Sequence, residues 1–122
     1  MIKETYCSYE VAKLLKEKGF HEPCIATYNS TTKNFQIEEI YEDWTIHWKG
    51  CISAPTLQMT MKWLREIYGL DIVIEISDPS VNDRKYYCVI WDKNNDSYIL
   101  DLFDSYEDAV EAAIKYCLEN LI

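Results

Sequence analysis

The sequence predicts one α+β domain over residues 1–122, a mainly antiparallel sheet of about five strands with three helices, ordered α-β-β-(β)-α-β-β-β-α. Three observations predict it. Apolar residues recur at helical spacing in three segments. Between those segments the apolar period falls to two, the signature of strands with one face inward. The last three strand segments are joined by polar turns too short for a parallel crossover, so they read as an antiparallel meander.

The first helix is predicted from about Tyr9 to Lys18, with Ser8 as N-cap and Gly19 as its stop. Val11, Leu14, Leu15 and Lys18 share one stripe, the Lys18 stem bordering the core with its ammonium in water. CIATYN and NFQIEEI then read as a hairpin around Asn29 to Asn34, and WTIHW as a further strand. The second helix lies in SAPTLQMTMKWLREIYG, with Ser53 as cap, Pro55 in the first turn and Gly69 as terminator. Leu57, Met61, Leu64 and Tyr68 form its expected core stripe, leaving Met59 and Trp63 well round the cylinder.

DIVIEIS sets Ile72, Ile74 and Ile76 against Val73 and Glu75. YYCVIWD sets Tyr86, Cys88 and Ile90 against Tyr87, Val89 and Trp91. YILDLF sets Tyr98, Leu100 and Leu102 against Ile99, Asp101 and Phe103. The third helix starts at Ser105, with Asp108 three residues later in a capping-box pattern. Its broad apolar face is Val110, Ala113, Ile114, Cys117, Leu118 and Leu121.

At 48% hydrophobic residues the chain can bury a core without disulfide or metal staples. No run is apolar for the length of a membrane span, and MIKETYCSYE lacks a secretory h-region, so a cytoplasmic location is expected. The five cysteines, Cys7, Cys24, Cys51, Cys88 and Cys117, are odd in number and hold no CxxC pair. They read as reduced, buried thiols, with no metal and no cofactor expected.

The net charge is −9 and uneven: residues 71–122 carry four basic and twelve acidic groups, a net of −8. A phosphate backbone would be repelled there, so direct nucleic-acid binding is not expected. The opening SYEVAKLLKEKGF superficially resembles the first helix of small excisionase-type helix-turn-helix proteins. The recognition helix that should follow is replaced by a loop and a strand.

His21 with Cys24, and His47 with Cys51, have spacings at which a thiolate–imidazole pair could support nucleophilic catalysis or begin a metal site. Pro23 interrupts the first pair and a strand-to-turn segment the second, so no catalytic or metal residue is assigned. Asp92, Asn94 and Asp96 open like a calcium loop. Ser97 and Phe103 then stand where the turn glycine and the bidentate glutamate belong, and a hairpin turn explains the residues better.

APTLQMTMKWLRE, together with SYEVAKLLKEKGF and SYEDAVEAAIKYCLENLI, resembles a group of small uncharacterised proteins encoded by phages, prophages and mobile elements of anaerobic gut bacteria. The resemblance implies a small accessory protein inside a bacterial host and brings no activity or catalytic residues. The expected function is non-enzymatic binding of another protein, with Met59, Trp63, Tyr87 and Trp91 as candidate partner-binding residues. Aromatic and Met anchors are what interface cores favour. The alternatives are a homodimer seam, a small Cys/His enzyme, and an acidic nucleic-acid mimic.

Overall fold

The structure, a computed structural model, describes residues 1–44, 49–78, 80 and 83–122. The chain divides into two units, Met1–Thr56 and Leu57–Ile122.

In the first unit, Ser8 Oγ accepts the Val11 N–H (3.2 Å) at the start of α1 (Tyr9–Glu17). Gly19, at φ +85°, carries the chain out of it, and the Phe20 N–H reaches back to the Leu15 carbonyl (2.9 Å). β1 (Cys24–Asn29) and β2 (Phe35–Glu42) form the expected hairpin. Asn29 closes its turn, its Oδ1 accepting the N–H groups of Thr31 (2.8 Å) and Thr32 (2.9 Å). β3 (Cys51–Ser53) takes the other edge of β1, giving the order β2-β1-β3. Of the expected WTIHW strand, residues 45–48 lie outside the described residues. Val11, Ala12, Leu15, Phe20, Cys24, Ala26 and Ile52 are buried in this unit.

In the second unit, α2 (Leu57–Tyr68) begins later than the sequence suggests. Ser53 is not its cap. It ends β3, and its Oγ accepts the Trp44 N–H (3.0 Å). Gly69, at φ +67°, ends α2 as expected, with the Leu70 N–H donating to the Leu64 carbonyl (3.2 Å).

The buried side of α2 also differs from the expected stripe: it is Leu57, Thr60, Trp63 and Leu64, while Met61 and Tyr68 are half-buried. Thr60 is fully buried. A threonine counts as polar in a periodicity reading, which shifts the expected stripe to one side of the core face and leaves Trp63 outside it.

β4 (Asp71–Ile76), β5 (Tyr86–Trp91) and β6 (Ser97–Phe103) form the expected antiparallel meander. It is a sheet of its own. Instead of one sheet of about five strands, the described residues hold six strands in two three-stranded antiparallel sheets, β2-β1-β3 and β4-β5-β6. Each sheet is closed by pairings between strands near in sequence, and β1 and β5, the central strands, have both edges filled. Period-two patterning reveals that a strand exists and not which strand it pairs with.

α3 (Tyr106–Tyr116) continues as a π-helical turn over Cys117–Leu121. Ser105 Oγ accepts the Asp108 N–H (3.0 Å), as the capping pattern requires. Ala109, Val110, Ala113, Ile114, Cys117 and Leu118 are all buried, and α3 packs on all three strands of the meander. No helix among the described residues is long and apolar enough to cross a membrane.

Candidate protein-binding face

The register of the meander sorts its side chains into two faces. Ile72, Ile90 and Tyr98 stand opposite one another, as do Ile74, Cys88 and Leu100. Cys88 and Ile90 are fully buried, which marks this as the face under α3. On the other face, Asp71, Trp91 and Ser97 form one row and Val73, Val89 and Ile99 the next.

The third row is altered by a bulge. Cys88 pairs with Leu100 but Tyr86 with Phe103, so β6 has two residues, Asp101 and Leu102, opposite Tyr87. The extra residue reverses the alternation. Phe103 moves to the row of Ile76 and Tyr86, and Leu102 joins Tyr87 and Glu75. The sequence expectation, with Leu102 beside Tyr98 and Leu100, is corrected by this one-residue shift.

The result is an open sheet face bearing Val73, Tyr87, Val89, Trp91, Ile99 and Leu102. Ile99 is 64% exposed, Leu102 59%, Trp91 43% and Val73 39%, with Tyr87 and Val89 half-buried. Its charged members are Asp71, Glu75 and Asp101. No Lys, Arg or His occurs anywhere in β4, β5 or β6. Just before β5, Lys85 donates to Asp104 and lies 3.8 Å from Asp83. That hydrogen bond and the attraction of both carboxylates raise its pKa, and Lys85 in turn lowers that of Asp104.

Of the four candidate residues, Tyr87 and Trp91 lie on this face. Met59 and Trp63 lie elsewhere, on α2. Trp63 is 7% exposed and packs edge-on to Tyr68 with ring centroids 5.2 Å apart, so it is a core residue and not a surface anchor. Met59 is half-buried. The alternation of Val73, Val89 and Ile99 is legible in the sequence, but aliphatic residues carry no signal there that separates an open face from a covered one. Leu102 was hidden by the bulge. The edge strand β2 exposes Ile37, Ile40 and Tyr41, and an open groove of about 420 Å³ of mixed polarity runs beside β6, lined by Ile99 and Asp101 of the sheet and by Ala112, Lys115 and Tyr116 of α3.

Of the sequence-suggested Cys/His pairs, the structure describes the first, and its geometry does not activate the thiol. His21 Nδ1 lies 3.1 Å from Asp43 Oδ2, while the buried Cys24 thiol donates to the Glu22 carbonyl (3.4 Å). Burial, then the Asp43 and Glu22 carboxylates, push the Cys24 pKa up to about 12. A nucleophilic cysteine needs the reverse shift, because the thiolate is the reactive form. Cys51 is half-buried, and its suggested partner His47 lies outside the described residues. No group of three or more His, Cys, Asp or Glu able to hold a metal occurs among the described residues.

At the β5–β6 hairpin, Asp92 is occupied by its own turn. Its Oδ1 accepts the N–H groups of Asn94 (2.9 Å) and Asp96 (3.0 Å), and its Oδ2 accepts the Tyr98 hydroxyl (3.2 Å). Asn95 takes φ +64° at the tip. These contacts account for the Asp/Asn-rich run as a turn.

No protein-family model, curated protein or solved structure matches this chain. The functional reading therefore rests on geometry and charge.

Proposed function

We propose that this protein is a small non-enzymatic accessory protein, of phage or mobile-element origin, that binds another protein through the open face of β4-β5-β6. The observation that carries the reading is a sheet with α3 on one face and six contiguous apolar side chains on the other. Contiguous apolar surface of this kind, rimmed by charge, is what protein interfaces present. An RNA-stacking role would also use exposed aromatics, but it needs cations beside them, and these strands have none. A nucleic-acid mimic needs carboxylates in a continuous array, whereas this face is apolar at its centre.

The test is site-specific photo-crosslinking. A benzophenone amino acid is placed at Trp91, with a control at Lys62 on the exposed side of α2, and crosslinked in extracts of the host cell. A discrete adduct from position 91, absent from the control and lost on Ile99→Asp, is expected. Adducts only with a second copy of the chain would replace the reading with a homodimer. No adduct at position 91 would refute it.

A further inference from the structure

We infer that the partner element taken by the open face is a cationic amphipathic helix, an inference that rests on the protein-binding reading above. The first reason is shape. A three-stranded sheet spans two strand spacings, roughly 10 Å, and a helix with side chains is roughly 10 Å across. One helix therefore covers such a sheet, as α3 does on the opposite face. Strands of six or seven residues run about 20 Å, the length of about 14 helical residues.

The second reason is charge. Tyr87, Val89 and Trp91 run down the central strand β5, and on either side β4 carries Asp71, Val73 and Glu75 and β6 carries Ile99 and Asp101. A helix laid along the strands with its apolar stripe on β5 would set its flanking residues beside the Asp71, Glu75 and Asp101 carboxylates. Lys or Arg there is attracted, and Glu or Asp is repelled. The same charges act against a second copy of this face, since stacking two of them adds three carboxylates to three with no cation from the strands. The unit as a whole carries six basic and thirteen acidic residues over 57–122, so the long-range field has the same sign.

Three synthetic peptides of about 14 residues, a length matched to the strands, provide the test. The first has a leucine stripe flanked by lysines, the second is its isomer with glutamates for lysines, and the third scrambles the first. Binding to the full chain is followed by amide and indole NMR shifts, at low and high salt. The lysine peptide is expected to shift the Val73, Val89 and Ile99 amides and the Trp91 indole, and to bind at least about tenfold tighter than the glutamate isomer. Ile99→Asp should abolish those shifts with the circular dichroism unchanged. The triple variant Asp71→Asn, Glu75→Gln, Asp101→Asn should narrow the preference for the lysine peptide and, at high salt, where the remaining long-range field is screened, bind both peptides alike.

Equal binding of the lysine and glutamate peptides to the unaltered chain would overturn the cationic specificity. Equal binding of the scrambled peptide would overturn the helical one. If no peptide shifts the face while crosslinking at position 91 still captures a partner, the helix proposal fails and the protein-binding reading stands. Failure of both experiments removes the reading itself.

Discussion

Truncating two isoleucines that differ mainly in the face they occupy tests which side of the meander is core. Ile90 in β5 is fully buried and stands between Ile72 and Tyr98. Ile99 in β6 stands beside Val89 and is 64% exposed. Ile→Ala removes three carbons, about 2.4 kcal/mol of transfer free energy at roughly 0.8 kcal/mol each when fully buried. At Ile90 the unfilled cavity adds to that, for a cost of about 2–5 kcal/mol. At Ile99 only about a third of the side chain's burial is at stake and no enclosed cavity forms, so the cost should stay below about 1 kcal/mol.

Urea unfolding followed by circular dichroism, with amide exchange along α3 and β5 to localise the effect, measures both. Ile90→Ala should lower the midpoint sharply and Ile99→Ala barely. Costs for Ile99→Ala equal to those of Ile90→Ala would refute the reasoning. The second face would then be covered in solution, and its exposure could not be the basis of a binding site.

Three further outcomes follow from the same structure. Ser105→Ala removes the acceptor of the Asp108 N–H and should destabilise α3 by about 1 kcal/mol, read as a lower urea midpoint, with Ser105→Asp retaining the cap. Trp63→Ala empties a buried site and should cost about 3–5 kcal/mol in the same assay, while peptide contacts on the open sheet face survive in whatever fraction stays folded.

Alkaline pH should destabilise the fold. The Cys24 and Cys117 thiols are each pushed from 9.0 to about 12, by burial first in both. The folded state therefore keeps protons that the unfolded chain loses. Their contribution is whole below pH 9 and is lost as pH rises toward 12, by up to about 1.4 kcal/mol per pH unit for each thiol. Cys24→Ala and Cys117→Ala should each flatten the slope relative to wild type, a difference in which the tyrosine titrations cancel. An unchanged slope would mean that these thiols are solvated.

Sequence determined the local elements of this protein. The caps at Ser8 and Ser105, the stops at Gly19 and Gly69, the hairpin at Asn29 and the turn at Asp92 all depend on residues within a few positions of one another. So do the helical face of α3 and the alternation of β4 and β5. Tertiary structure decided the rest. That two sheets form, that Thr60 and Trp63 share the buried side of α2, and that a bulge turns Leu102 out beside Tyr87 depend on which distant segments meet. The candidate face was half legible for this reason: alternation put Tyr87 and Trp91 on one side of a strand, but only pairing aligned them with Val73 and Ile99. Side-chain period is a property of one segment's backbone, whereas register and coverage are properties of two.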